Sequence, residues 1–345
     1  MLERLVGMQA QVPSNPYVAL WARLRDFVPA ELSDLIAGRG VVRAQLMRST
    51  IHLVTARDAL ALHPLTAPVL ARTFAGQAQF LKAMVAAGVE LEPVVAAGRE
   101  LLAEAPRTRA ELAAALGPRW PQVAPATLAQ AVTFNCALVQ VPPRGLWGES
   151  GAARWALTEA WLGAAPDAEP SLDAAVLRYL AAFGPATAAD VRTWSGFTGL
   201  RPVIERLRPQ LRSFRDEQGR ELLDVPDAPL PDPETPAPPR FLPEYDNLGL
   251  SHADRARLFN GLGPGLPFPT GTWIGSLYAD GFYRAWWKLT EQDGAATLEI
   301  DGFTPATRDP AGTRDEIGAE GERLIRFIAP DATAQRVDFT GPPSV

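Results

Sequence analysis

Residues 41–54 of this 345-residue chain decide the fold, and they read Val41-Val42-Arg43-Ala44-Gln45-Leu46-Met47-Arg48-Ser49-Thr50-Ile51-His52-Leu53-Val54. Two runs rich in apolar and β-branched residues flank the pair Arg48-Ser49, a pattern that predicts an antiparallel hairpin. The preceding segment predicts a helix that begins near Pro29 and ends at the glycine stop Gly38-Arg39-Gly40. Thr55 is a suitable N-cap for a helix after the hairpin. The stretch therefore predicts a unit in which helices are followed by a hairpin.

A second unit of this kind is predicted between residues 86 and 167. Thr108 and Glu111 have the spacing of a capping box, which opens a short helix, and Pro125 opens the next one. Two short extended runs follow, at residues 139–141 and 155–157, and they predict a second hairpin.

A third unit repeats the order. Residues 172–183 form an amphipathic helical pattern, and Thr187 is placed to cap the next helix. The runs 211–215 and 220–225 flank a turn and predict a third hairpin. Helix, short helix, helix and hairpin is the winged-helix plan, although small helical domains of other kinds share this order.

The predicted fold class is α+β, with three tandem winged-helix (helix-turn-helix) units and a small antiparallel β-rich C-terminal region. Seven prolines between residues 226 and 239 predict a semi-rigid extended linker. Beyond it, residues 272–278, 282–289 and 296–300 read as strands and residues 321–328 as a helix. The predicted domains are winged-helix units at 1–85, 86–167 and 168–226, the linker at 227–240 and the β-rich region at 241–345.

Composition excludes several classes of function. No run of about 18 apolar residues predicts a membrane-spanning helix, and the first residues do not have the pattern of a signal peptide, so a cytoplasmic protein is expected. The net charge of −6 argues against a general binder of polyanions, although local charge decides binding. The chain has no phosphate-binding loop, dinucleotide fingerprint or nucleophile elbow. Its three dispersed histidines and single Cys136, expected to be a buried structural thiol, predict no metal site and no cofactor.

Two polar segments stand apart from this background. Pro13 ends any helix before it, so Gln9 and Gln11 are expected to project the same way from an extended segment; the alternative is two solvated surface glutamines. The segment 240–255 crowds polar side chains into a turn, and it is expected to lie near the glutamines. The alternative for it is a turn with a helix cap at Ser251. His52 alternates with its apolar neighbours, which predicts a place on the polar face of its strand.

At these residues the chain resembles a bacterial family of winged-helix DNA-binding proteins that includes the AlkZ-like and YcaQ-like DNA glycosylases. The resemblance covers nearly the whole chain. It rests on Gln9-Ala10-Gln11, on residues 47–54, on residues 241–247 and 251–255, and on the helix at 323–327. A Gln-aliphatic-Gln motif marks the AlkZ-like branch, the type that confers self-resistance to azinomycin-class alkylators. Family members carry a further helix before this motif, whereas eight residues precede it here, so either the start is misassigned or the first unit is shortened.

The resemblance implies a DNA glycosylase that hydrolyses the N-glycosidic bond of bulky N7-alkylated purines and unhooks interstrand crosslinks, in DNA repair or genotoxin self-resistance. Gln9 and Gln11 are the catalytic candidates, because an amide can position water against a bond that N7 alkylation has already made labile. The candidate neighbours of this pair are His52, Asp246, Asn247, Ser251 and His252. The candidate DNA-binding residues are Arg48, Arg201, Arg206, Arg208, Arg212, Arg215 and Arg255.

The implied partner is double-stranded DNA carrying alkyl lesions, bound by a monomer that is associated with the nucleoid and does not bind membranes. Two other classes of function remain open from sequence. One is a non-catalytic winged-helix regulator of transcription, and the other is a scaffold that binds proteins rather than DNA. The glutamine pair separates the enzyme from the regulator, and salt-dependent DNA binding separates both from the scaffold.

Overall fold

A computed structural model describes residues 1–259, 275–302 and 310–340, with side chains from Thr313 onward in the last range. The described residues form two compact units. The first comprises residues 1–14, 28–228 and 251–253, and the second comprises residues 15–27 and 229–250 together with the described residues after 253. The division at Ala228–Pro229 falls inside the proline-rich stretch, which contains no helix or strand between Val225 and Pro239.

Helices and strands are interspersed throughout the described residues, a mixed α+β composition as predicted. The helices are α1 Asn15–Trp21, α2 Pro29–Ala37, α3 Ala56–Gly76, α4 Ala83–Ala86, α5 Leu91–Glu104, α6 Arg109–Leu116, α7 Pro125–Asn135, α8 Thr158–Leu162, α9 Leu172–Phe183, α10 Ala188–Ser195, α11 Leu200–Leu207, α12 Asn247–Leu250, α13 Ala256–Phe259 and α14 Pro310–Ile328. The strands are β1 Met8–Gln9, β2 Val41–Gln45, β3 Ile51–Thr55, β4 Arg107–Thr108, β5 Leu138–Val141, β6 Arg154–Leu157, β7 Arg212–Arg215, β8 Glu221–Asp224, β9 Arg240–Leu242, β10 Gly275–Ala279, β11 Phe282–Gln292, β12 Ala295–Asp301 and β13 Ala334–Phe339. In the described part of the chain, no helix has the length and apolar character needed to cross a membrane.

All three predicted hairpins are present, as β2–β3, β5–β6 and β7–β8. The predicted caps are present too: Thr55 accepts from the Asp58 N–H, and Thr108 and Thr187 each head a capping box. Cys136 is buried, as expected. Whether each group of helices and hairpin is a winged-helix unit stays a prediction.

The first two hairpins join into one six-stranded sheet of order β1-β3-β2-β5-β6-β4, in which every neighbouring pair is antiparallel. Strand β2 is buried along its whole length, and so is His52, whose exposed fraction is 1%. His52 does lie beside the polar side chains of Gln9 and Arg48, but this face of the strand is buried and not solvated. Alternation of apolar and polar residues along a strand predicts that one face of the sheet is solvated. Here two hairpins from distant parts of the sequence pair edge to edge, and helices cover the sheet that they form.

The second unit contains a five-stranded sheet of order β13-β12-β11-β10-β9. Its strands β9 to β12 pair antiparallel, as predicted, but β13 pairs parallel to β12 because α14 carries the chain back across the sheet. Helix α1 belongs to this unit, where the Trp21 and Phe327 rings stack with centroids 5.7 Å apart. The predicted strand residues 272–274 lie outside the described residues.

Candidate functional site

Strand β1 carries Gln9, and its place in the sheet depends on the preceding glycine. Gly7 has a left-handed φ of +94°, and a Cβ there would lie 2.5 Å from the Val54 Cγ1 atom of β3. Only glycine allows this close approach, which lets Met8 pair with Leu53 and Gln9 with His52. Residues 2–6 form turns and Met8–Gln9 pairs with β3 as a strand, so no helix runs up to Gln9.

The turn between β2 and β3 is strained and positions Arg48. Arg48 has φ 52° and Ser49 has φ 58°, so both central residues are left-handed, as in a type I′ turn that normally prefers Asn-Gly. Each L-residue in this conformation costs about 1–2 kcal/mol. The Ser49 Oγ atom lies 2.8 Å from Thr73 Oγ1 of α3, a hydrogen bond that helps to hold the turn.

The Arg48 guanidinium joins the turn to the first glutamine. Its Nη2 donates to Gln9 Oε1 at 2.8 Å and lies 3.4 Å from His52 Nε2, while its Nη1 donates to the Trp194 carbonyl of α10. Because Arg48 occupies the Oε1 atom of Gln9, the Nε2 amide group of Gln9 is turned away from it. The three side chains form what we call the Gln9 cluster: Gln9, Arg48 and His52.

His52 is a neutral hydrogen-bonding group in this cluster. Burial and the nearby charge of Arg48 lower the pKa of His52 to about 3. The His52 Nδ1 atom lies 3.1 Å from the Thr50 carbonyl oxygen, so Nδ1 carries the proton and Nε2 is the acceptor that faces Arg48. At neutral pH, His52 is therefore uncharged, and its role is to orient Arg48.

Gln11 lies at the sheet edge, beyond the end of β1. The Ala10 N–H still donates to the Ile51 carbonyl at 2.7 Å, the main chain bends at Gln11, and Gln11 Oε1 accepts from the Ile51 N–H at 3.2 Å. The extended geometry expected to align the two glutamines thus ends before Gln11. Gln11 lines a cleft of about 460 Å³ together with Gln45, Gln130, Gln140, Phe134 and Trp155, whereas Gln9 does not line this cleft.

The segment Ser251–Ala253 belongs to the same unit as the glutamines. The Ser251 carbonyl accepts from the Tyr179 hydroxyl at 2.6 Å, and the Ala253 N–H donates to Asp190 at 2.8 Å. The Tyr179 and Trp194 rings lie 5.1 Å apart, and the Trp194 carbonyl holds Arg48, so packed side chains lead from Ser251 to the Gln9 cluster. Ser251 caps no helix; its hydroxyl lies 2.9 Å from Nδ1 of His252.

The other predicted neighbours lie in the second unit. Asp246 is buried and forms an ion pair of 2.6 Å with Arg23, and Asn247 opens the short helix α12. Arg255 is half-buried, and its positive charge partly offsets the rise in the pKa of Tyr278 that burial causes. Within the described residues, no group of His, Cys, Asp or Glu side chains is arranged to hold a metal ion.

The arginines predicted for DNA binding around β7 fall into two groups, those with and those without an ion pair. Arg206 pairs with Asp173, and Arg208 pairs with Glu205 and Glu221, so acidic neighbours offset these two charges. Three others form no ion pair with any residue that the structure describes: Arg201, Arg212 and Arg215. Arg212 lies over the Phe214 ring at 5.0 Å, and Arg215 donates to the Gly219 carbonyl.

The amides of the cleft were not predicted from sequence. Gln45 and Gln140 interrupt apolar strands, in Ala44-Gln45-Leu46 and Val139-Gln140-Val141, and both are buried. A buried amide needs partners, so an amide inside a run of strand-forming apolar residues is the signal that could have identified them.

Comparisons with known proteins agree on one family. The family model for AlkZ-like DNA glycosylases matches residues 2–327. Among solved structures, the chain is similar to the DNA glycosylase AlkZ of Streptomyces sahachiroi, with a TM-score of 0.74 and 19% sequence identity, over 98% of this chain and 92% of that one. No curated protein matches the sequence.

Proposed function

This chain belongs to the AlkZ-like DNA glycosylase family, and we propose that it hydrolyses the N-glycosidic bond of bulky N7-alkylated purines in double-stranded DNA. The observation that carries the proposal is the Gln9 cluster: an amide at the edge of the sheet, oriented by an arginine on a strained turn and two residues before a second glutamine in the chain.

Amides suit this chemistry because alkylation at N7 makes the purine a cationic leaving group. Its glycosidic bond is already labile, so the enzyme needs to hold a water molecule against the sugar carbon and does not need a strong acid. Gln9 and Gln11 serve this purpose in our proposal. His52 is neutral and bound to Arg48, which fits a reaction that uses no histidine acid or base. The proposed neighbours of the pair within the first unit are His52, Ser251 and His252.

Duplex DNA is bound, in this proposal, by winged-helix units whose arginines contact phosphates. Arg201, Arg212 and Arg215 are the strongest candidates, since none of them forms an ion pair with a described carboxylate, although Arg212 lies across the hairpin from Asp224 and Arg215 from Glu221. Arg206, Arg208 and Arg255 are secondary ones, whereas Arg48, the remaining candidate from sequence, donates to Gln9 and to the Trp194 carbonyl and is assigned a positioning role instead. We propose a monofunctional enzyme that acts as a cytoplasmic, nucleoid-associated monomer in DNA repair or genotoxin self-resistance, with interstrand crosslinks among its substrates.

A base-release assay tests the substrate class. Duplexes that carry one N7-methylguanine, one bulky N7-alkylguanine or no lesion are incubated with the protein, and abasic sites are counted after strand cleavage. We expect release from both alkylated duplexes, faster for the bulky adduct, and none from the unmodified duplex. Duplex binding without release from either lesion would contradict the proposal.

A further inference from the structure

Tyr245 of the second unit is an exposed aromatic residue in a strained turn. The turn follows β9 and precedes α12, and Tyr245 has a left-handed φ of 62° in it. A bulky L-residue is an outlier in this conformation, which turns usually give to Gly or Asn. Such strain persists only where the surrounding structure imposes it, and strained residues cluster at functional sites. The turn therefore holds a tyrosine at a position where Gly or Asn would strain the chain less.

The residues on both sides of Tyr245 anchor the turn. On one side, the Glu244 carbonyl accepts from Nδ2 of Asn15 in α1 at 2.8 Å. On the other side, the buried Asp246 carboxylate accepts from both terminal nitrogens of Arg23, at 2.6 and 2.8 Å. A bidentate pair of this kind is strong and has a defined geometry. These contacts, all within the second unit, fix the backbone on each side of Tyr245.

The Tyr245 side chain is held outward from this anchored turn. It is 44% exposed, whereas the next two residues, Asp246 and Asn247, are buried. A hydrogen bond to the Glu244 carboxylate raises the pKa of Tyr245, so the hydroxyl stays protonated at neutral pH and the bond restrains the ring. No ring of the described residues packs against it. An exposed and ordered ring is suited to stacking on a planar partner.

The charges near Tyr245 favour a nucleic-acid base as that partner over a phosphate. The Glu244 carboxylate repels phosphate groups, whereas stacking on the face of a base needs no charge. A cation for the DNA backbone lies not far away, because the charges of Asp246 and Arg255 both act on the Tyr278 hydroxyl. Arg255 is one of the arginines proposed above for DNA binding. The turn thus offers a ring for a base, with an arginine in the same region for a phosphate.

We propose that Tyr245 inserts its ring into the duplex at the lesion and fills the space that the alkylated base leaves when it moves out of the base stack. Enzymes that act on a base in a duplex unstack it first, and side chains inserted between base steps stabilise the opened duplex. An aromatic ring stacks on any base, so this contact does not depend on sequence. The inference rests on the proposed function and adds a residue that recognises the opened duplex.

Binding to a duplex that lacks one base tests this inference without turnover. The probe contains one tetrahydrofuran residue, an abasic analogue that has no base to release, and its dissociation constant is compared with that of the fully paired duplex. We expect wild type to prefer the tetrahydrofuran duplex about tenfold, the effect of one stacked ring. Tyr245→Phe should keep this preference, because it keeps the ring.

Tyr245→Asn should lose the preference although it suits the left-handed turn, so its midpoint of urea unfolding should stay close to that of wild type. This combination separates a ring that contacts DNA from a ring that only stabilises the fold. The matched control is Leu230→Asn, which replaces another exposed apolar side chain of the same unit and should keep the preference.

Three outcomes overturn the inserted ring: no preference in wild type, a preference that survives in Tyr245→Asn, or a loss that is equally large in Tyr245→Phe or Leu230→Asn. If Tyr245→Asn does not fold, photocrosslinking of wild type decides: 5-iodouracil placed beside the tetrahydrofuran residue must crosslink to Tyr245, and crosslinks to other residues alone overturn the inference. A Tyr245-dependent preference without base release from alkylated duplexes would refute the proposed function and keep the inserted ring. Base release without that preference would do the reverse.

Discussion

The contacts of Arg48 indicate how the Gln9 side chain is oriented. It donates to Gln9 Oε1 and to the Trp194 carbonyl, and neutral His52 accepts from it. Arg48 is therefore a positioning residue in our account: it fixes which side of the Gln9 amide faces the substrate.

We expect Arg48→Met to slow base release about as much as Gln9→Ala does, and the double variant to be no slower than either alone. The reason is that the two residues act as one unit, so their effects are not additive. Single-turnover rates of the three variants on an N7-alkylguanine duplex measure this. If the losses multiplied, Arg48 would act independently of Gln9, for example on a phosphate.

The buried histidines make the stability of the protein depend on pH. Burial lowers the pKa of His52 to about 3 and that of His63 to about 4. Both pKa values lie below the unfolded value of about 6.5, so the unfolded chain binds more protons. The stabilisation is complete above pH 6.5 and is lost as the pH falls toward the folded values.

From about pH 6 to pH 5 the free energy of unfolding should fall by about 1.2 kcal/mol for each of these histidines. Urea unfolding at half-unit steps measures the slope, and His63→Gln should remove one histidine's share. His63 is chosen because it contacts Thr158 and lies outside the Gln9 cluster. A free energy of unfolding that is constant over this window would contradict the buried, neutral histidines.

Strand β1 illustrates at the level of elements what sequence can and cannot predict. The three hairpins and their caps follow from local signals, namely β-branched runs, turn residues and Thr-x-x-acid spacing. The strand at Met8–Gln9 does not, because only its partner β3 makes it a strand. The joining of two hairpins into one sheet is likewise set by a non-local pairing, Arg43 with Gln140 and Ala44 with Val139.

Because β1 depends on Gly7, we expect Gly7→Ala to destabilise the protein by about 2–3 kcal/mol and to reduce base release. The matched control is Gly88→Ala, which also has a positive φ but no neighbour within 4 Å of the added Cβ, and it should lose about 1 kcal/mol. Urea denaturation compares them. The added Val54→Ala change should recover part of the Gly7→Ala loss, because the clash is with Val54 Cγ1; equal losses in both glycine variants would contradict the close approach.

The sequence supplied candidates for the site, whose roles stay a proposal. Gln9, Gln11, Ser251 and His252 lie in one unit, and the motif that marks the family pointed to them. The cleft amides could not be assigned from sequence, because the partners that fix their orientation come from distant segments.

For the whole molecule, the net charge of −6 must be reconciled with a DNA substrate. Local charge resolves this in our proposal, since Arg206 and Arg208 form ion pairs with acidic residues, whereas Arg212 and Arg215 lie across the hairpin from Asp224 and Glu221 but form no ion pair with the described residues. We expect Arg212→Gln with Arg215→Gln to lower the slope of log binding constant against log salt by about 2. The matched double variant Arg206→Gln with Arg208→Gln should lower it less. Fluorescence anisotropy at several salt concentrations measures both slopes, and an unchanged slope in the first variant would remove β7 from the interface.

The central claim is that Gln9 and Gln11 act on the reaction and not on DNA affinity. Single-turnover release of N7-alkylguanine from a duplex, measured beside the dissociation constant of the same duplex, tests it most directly. Losing a group that acts chiefly in the transition state typically reduces a rate by about 10² to 10³. We predict that Gln9→Ala and Gln11→Ala each slow release by about this factor and change duplex affinity by less than about threefold, while Gln79→Ala retains the wild-type rate. Full activity in both glutamine variants, with an active wild type, would contradict the account.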